Sequence, residues 1–202
     1  ENAAGETTPE GAIPKIWEEF TDRSVVRVNT SAPMTYWGPR TSQSGNDPSF
    51  FSVEGLLRYG DGRCHAWARI FVAMLKVQGI NTATVRGIVI RDNFMRTGLL
   101  FYVKLWYMLA SPPEDLPGLP AQGNPDPQSE FPNHAIVQLR NSEGEYESAI
   151  YDPSYGTWYA DLQEWEDKSL DFFRYQRNDT NEIILVPNTT GDHQTTLVEV
   201  AQ

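Results

Sequence analysis

A single cysteine, Cys64, and three histidines are all the thiol and imidazole groups that this 202-residue chain carries. One cysteine excludes an internal disulfide and any multi-cysteine zinc site. The histidines His65, His134 and His193 are too scattered to form a ligand motif, so no metal and no cofactor are expected. Positive charge is scarce as well. Sixteen Lys and Arg against 27 Asp and Glu leave a net charge of -11, which argues against nucleic acid or an anionic membrane as partner. Long apolar runs are missing: the longest, residues 98–110, is too short for a membrane span and contains Lys104. Nor is there a visible signal peptide, lipidation motif or internal repeat. The chain begins at Glu1 rather than Met, so it is expected to be a processed or excised piece. A secreted or periplasmic location, with an export signal already removed, is one expectation.

What the chain does have is core-forming material. It is 40% hydrophobic and carries 6 Trp, 9 Tyr and 9 Phe, enough for one folded domain. We expect residues 1–12 to be disordered, 13–188 to form that domain and 189–202 to be a polar tail. A short helix is expected after Pro14, a strand over 24–28, an aromatic loop over 33–40, and a helix over 49–59 with Phe50, Val53, Leu56 and Leu57 inward. The clearest element is a helix over 64–78. Its Trp67, Ile70, Phe71, Met74 and Leu75 form one apolar stripe, and Gly79 stops it. Strands are expected over 82–91, 99–109, 134–139, 146–151 and 182–187, with a helix over 161–169 whose Asp161 and Glu164 have capping-box spacing. Seven of the 14 prolines fall between Pro112 and Pro132. So long an irregular segment, 111–133, is uncommon inside a compact domain, and it ends on His134. It reads as a wall or lid of a site.

A cysteine becomes a nucleophile when its thiolate is stabilised, and free N–H groups at a helix start do that. Cys64 stands at such a start, after Gly62-Arg63. Taken alone, such a cysteine is an ordinary small hydrophobe. Its base must be a histidine. His65 is adjacent, but neighbours on a helix point about 100° apart, which suggests a surface or supporting residue. His193 lies in the expected tail. His134 opens the alternating run HAIVQL and projects from a strand end, so it is the suitable base. A carboxylate should orient the imidazole, and Asp152 ends the strand-like YESAIY just before Pro153. By itself Asp-Pro is simply a turn start.

The three segments together resemble the transglutaminase-like superfamily. GDGRCHAWARIFVAMLKVQGI is similar to its nucleophile helix, NHAIVQL to its histidine strand and YDPSYG to its aspartate motif, in the family's order. The resemblance spans residues 33–156. It implies an α+β, papain-like core in which an N-terminal nucleophile helix packs on an antiparallel β-sheet carrying His and Asp. It implies Cys64, His134 and Asp152 as catalytic residues acting on amide groups of a protein or peptide substrate through a thioester. Water or an amine-bearing acyl acceptor would complete the reaction. The oxyanion would take the Cys64 N–H and a second donor. Pro33-Met34-Thr35-Tyr36-Trp37 resembles the family segment that supplies this donor, so Trp37 or Tyr36 is the candidate. Departures exist: Asn81 and Ala83 replace a common proline and arginine, Ile136 replaces a common tryptophan, and the zinc cysteines of the related N-glycanases are absent. No EF-hand is seen, so calcium dependence is not carried over. The alternative reading is a binding or scaffold module that keeps this fold without turnover.

Overall fold

The computed structural model of the chain describes residues 3–43, 47–91, 96–103, 119–127, 130–177, 179–188 and 194–200. Helix α1 runs over Pro9–Thr21, so residues 9–12, expected to be disordered, are helical. Thr8 accepts from the Gly11 N–H as N-cap, and Pro9 occupies the first turn, where its missing N–H costs no bond. Pro14, expected to open the helix, lies inside it. The buried side chains Ala12, Ile16, Trp17 and Phe20 turn one face of α1 toward the core. Residues 24–28 form no strand; only Val26 bridges to Pro33. Val28 is 99% exposed, because these β-branched residues have no partner strand to pack on.

Strand β1, Thr35–Tyr36, pairs in parallel with β2, Asp61–Gly62. Between them lie α2 (Pro39–Gln43), a 3-10 turn (Pro48–Phe51) and α3 (Val53–Tyr59). The expected single helix over 49–59 is therefore two pieces, broken where Ser52 caps α3. That break shifts the phase, and Leu57, expected inside, is 51% exposed while Phe50 and Leu56 are buried. Helix α4, Cys64–Val77, follows β2 directly. Its stripe of Trp67, Ile70, Phe71 and Leu75 is buried, joined by Ala66, Ala68 and Val72 on a wider face than expected. Each large apolar side chain so buried contributes about 1.5–3 kcal/mol before entropy is counted.

Helix α4 packs on a five-stranded antiparallel sheet ordered β11-β3-β6-β7-β8. Its strands are β3 (Thr84–Ile90), β6 (Asn133–Gln138), β7 (Ile150–Asp152), β8 (Thr157–Tyr159) and β11 (Thr195–Glu199). Strand β11 comes from the expected polar tail. Its pairing to β3 makes residues 195–199 part of the domain, because Thr196–Val198 supply the β-branched and apolar residues that an edge strand accepts. A four-stranded sheet, β10-β9-β4-β5, contains β4 (Arg96–Val103), β5 (Glu130–Phe131), β9 (Leu170–Arg177) and β10 (Ile183–Pro187). Helix α5, Leu162–Ser169, bridges β8 and β9, and the Asp161 carboxylate caps it by accepting from Glu164 N–H at 2.8 Å.

The expected wall or lid over 111–133 falls partly outside the described residues. Within them, Ala121–Asn124 is a bridged turn rather than open loop. The Gln122 side chain is fully buried; its Nε2 donates to Phe20 O at 2.7 Å, and its backbone carbonyl accepts from Tyr36 N–H at 2.8 Å. This segment ties α1 to β1.

Candidate active site

Three elements bring Cys64, His134 and Asp152 together. Cys64 is the first residue of α4, held there by the β1–β2 pairing just ahead of it. It is 4% exposed. His134, on β6, faces α4 and is wholly buried. Antiparallel pairing of Val137 with Tyr151 puts His134 and Asp152 on the same sheet face at diagonal positions. The Asp152 carboxylate spans that diagonal: His134 Nε2 and Asp152 Oδ2 are 2.8 Å apart. The Asp152–Gly156 turn fixes the carboxylate. Gly156 adopts φ +63, and a Cβ there would meet the Phe20 carbonyl oxygen at 2.1 Å, so no other residue fits.

With Nε2 given to Asp152, the other ring nitrogen remains for the thiol. His134 Nδ1 has no hydrogen bond of ordinary geometry among the described residues. The electrostatics couple it to Cys64 nonetheless. Burial pushes the Cys64 thiol up, but hydrogen bonding and charge from His134 and His65 outweigh burial and lower it from 9.0 to about 5. Burial likewise opposes a charged His134, yet the Asp152 carboxylate and the Cys64 sulfur raise it from 6.5 to about 10. Both directions favour a thiolate beside an imidazolium over a neutral thiol beside a neutral imidazole.

Two further residues complete the surroundings. Trp165 of α5 stacks on the His134 ring at 6.0 Å, and its indole N–H donates to Asp152 Oδ2 at 3.4 Å. A signal existed in the spacing of Leu162, Trp165 and Ser169 along one helix face, but nothing tied that face to the histidine. His65, read as a surface or supporting residue, has Nδ1 3.6 Å from Cys64 Sγ. The 100° rule describes Cβ directions; Nδ1 is the ring nitrogen nearer the backbone, and it reaches back over the preceding side chain. His193 lies outside the described residues.

The two donor candidates separate clearly. Tyr36 is fully buried, its ring 6.5 Å from His134 and 5.3 Å from Tyr155. Burial first, then the charges of Tyr155, Cys64 and Asp152, hold its phenol well above 10, so it stays protonated. Its hydroxyl has no hydrogen bond of ordinary geometry among the described residues. Trp37 is half-buried, packs edge-on against the buried Phe131 ring at 5.7 Å, and has a backbone φ of +52, a region where bulky residues are rare. Bonds from Trp37 N–H to Gly62 O (3.1 Å) and from Gly38 N–H to the buried Asp61 carboxylate (2.8 Å) hold that turn. The Trp37 ring carries the Arg63 guanidinium at 4.5 Å.

Among the described residues no group of three or more His, Cys, Asp or Glu is placed to hold a metal ion, and no helix is long and apolar enough to cross a membrane. The fold and this meeting point define an α+β protein with a thiol, an imidazole and a carboxylate converging where a helix start meets an antiparallel sheet. The chain belongs to the transglutaminase-like superfamily, whose family model matches residues 3–160. No curated protein and no solved structure matches it. Helix α5, with Trp165, lies beyond the matched range although it touches Asp152.

Proposed function

We propose that the protein is a thiol-dependent acyl-transfer enzyme acting on protein or peptide amides, with Cys64 as nucleophile, His134 as acid and base, and Asp152 as the carboxylate that orients the imidazole. The observation that carries this reading is the buried His134 ring, bonded through Nε2 to Asp152 and coupled on its other side to the Cys64 sulfur. The Cys64 thiolate attacks the amide carbonyl carbon, forming a C–S bond and an oxyanion. The Cys64 N–H, which has no intrahelical acceptor at the first turn of α4, and the Tyr36 hydroxyl are the donors for that oxyanion. Collapse breaks the C–N bond, and the proton on His134 Nδ1 goes to the leaving amine. Water or a second amine then gives its proton to His134 as it attacks the thioester, and the thiolate leaves.

The test is alkylation with iodoacetamide, followed by intact mass across pH. One fast-reacting thiol near neutral pH, absent in Cys64→Ala, is expected. A thiol as slow as a free cysteine at that pH sinks the reading. Peptide amides assayed with and without a labelled primary amine then distinguish transfer from hydrolysis.

A second reading, a non-catalytic binding module, is favoured by the near-complete burial of Cys64 at 4% exposure. It predicts slow alkylation in the folded protein that becomes ordinary in urea.

A further inference from the structure

Cys64 is touched by two imidazoles, and the mechanism uses one. His65 Nδ1 stands 3.6 Å from Sγ, within hydrogen-bond range for sulfur. Its ring is not loose. It meets the Phe51 ring edge-on at 5.7 Å, and Phe51 in turn lies 5.0 Å beneath the Arg63 guanidinium, which covers Trp37 at 4.5 Å. His65, Phe51, Arg63 and Trp37 thus form one stack along the half-buried side of the thiol. Phe51 itself is fixed by the 3-10 turn, and its carbonyl accepts from Arg69 at 2.7 Å.

We propose that His65 is a second hydrogen-bond donor to the Cys64 thiolate, held in place by the Phe51–Arg63–Trp37 stack, and that it stabilises the sulfur anion both at rest and as it leaves the thioester. The inference rests on Cys64 being the nucleophile. A lone donor on one side of a thiolate leaves its other lone pairs to solvent or to nothing. In a site this buried, a second N–H supplies what water would otherwise give. The same donor remains beside the sulfur when the C–S bond breaks, while His134 takes up the proton of the attacking nucleophile. Its action on the thiol agrees in direction: His65 follows His134 among the groups that lower Cys64 against burial.

The groups facing Cys64 are few enough to read its titration. They are His134 from β6 with Asp152 behind it, Tyr36 from β1, Tyr155 from the β7–β8 turn, His65 and the neighbouring Arg63. Both phenols are held well above 10 and stay neutral through the useful range. The pH dependence of Cys64 alkylation therefore reports the two imidazoles.

The experiment compares that pH profile in the unmodified protein, His65→Phe, His65→Ala and His65→Asn. Phe keeps a ring on Phe51 without a nitrogen, Ala removes both, and Asn puts an amide N–H near the position of Nδ1. Phe and Ala should move the thiol limb upward by about one pH unit, a roughly tenfold loss of thiolate below it. Asn should restore most of that shift. A limb in His65→Phe or His65→Ala that coincides with the unmodified protein overturns the inference, and either variant serves if the other does not fold. If the unmodified thiol itself titrates like a free cysteine, it is the nucleophile reading that fails, before His65 is in question.

Discussion

On one side of the Cys64 sulfur lie His134, Asp152, Tyr155 and Trp165, all buried and gathered from β6, the β7–β8 turn and α5. On the other lie His65, Phe51, Arg63 and Trp37, half-buried and drawn from the part of the chain between β1 and α4. The first group is assembled by long-range strand pairing and helix docking, so its geometry persists only while the sheet is intact. The second hangs on the β1–β2 pairing, the 3-10 turn and the first turn of α4, joined by edge-on and cation–ring contacts. Charge is handled differently on the two sides. The buried side makes the ion pair, since a carboxylate in a dry setting acts strongly on the ring it bonds. The half-buried side adds a donor and a cation in partial contact with water, where each is worth less.

The comparison predicts a steep gradient of mutational effect across the sulfur. His134→Ala should be the largest break, lowering kcat/KM by about 10³ to 10⁴-fold as acid, base and counter-charge vanish together. The thiol limb should rise well above its starting value of about 5, yet stop short of a free cysteine because His65 remains. A His65 substitution that costs more than His134→Ala would reverse the sides.

The next break is at the paired aromatics, where the contrast is between adjacent residues. Tyr36→Phe removes one hydroxyl from the buried side and should lower kcat by about 10²-fold with KM nearly unchanged, as expected for a donor that acts on the developing oxyanion. Trp37→Phe keeps an aromatic face under Arg63 and should cost only a few-fold, chiefly in KM. Steady-state kinetics on one peptide amide substrate suffices. A larger kcat loss from Trp37→Phe would give the oxyanion role to the indole.

How much of this was legible beforehand follows the same division. The stripe of α4 is periodic, and periodicity is what a sequence displays directly, so the helix bearing Cys64 stood out; the strand bearing His134 stood out as a short apolar run, although His134–Gln138 are buried on both faces of the sheet rather than alternating. Asp152 was readable only jointly with them, because an Asp-Pro step looks like any turn until a register sets it diagonal to a histidine. Trp165, and the contact that His65 (read as a surface or supporting residue) makes with the sulfur, escaped for opposite reasons. Trp165 reaches the site through the docking of α5, a long-range fact with no local sign. His65 is local, but its contact depends on how its ring turns, which residue spacing does not encode. Strand β11 was missed because five residues set in an otherwise polar terminal segment are too short a run to show a pattern of their own.

The smallest predicted effect is a flat line, and it is the sharpest test of the ion pair. His134 is raised from 6.5 to about 10, so its contribution to stability is complete below 6.5 and is lost as pH rises toward 10. Cys64 is lowered from 9.0 to about 5, so its contribution is complete above 9.0 and is lost as pH falls toward 5. Between 6.5 and 9.0 the folded pair holds one proton, on His134, and the unfolded pair also holds one, on Cys64. The proton counts match, so this pair gives stability no slope there, whereas a mismatch of one proton would give about 1.4 kcal/mol per pH unit. Below 6.5 the unfolded chain binds the extra proton and stability falls with acid; above 9.0 the folded chain does and stability falls with base. In Cys64→Ala the Asp152 carboxylate still holds the His134 proton with no thiol to balance it, so the plateau should tilt downward from pH 6.5. Urea midpoints measured across this range for both proteins check it, because background titrations common to the two cancel in the difference. Parallel curves would mean that Cys64 and His134 do not share their proton, and the buried side would lose the property that sets it apart from the other.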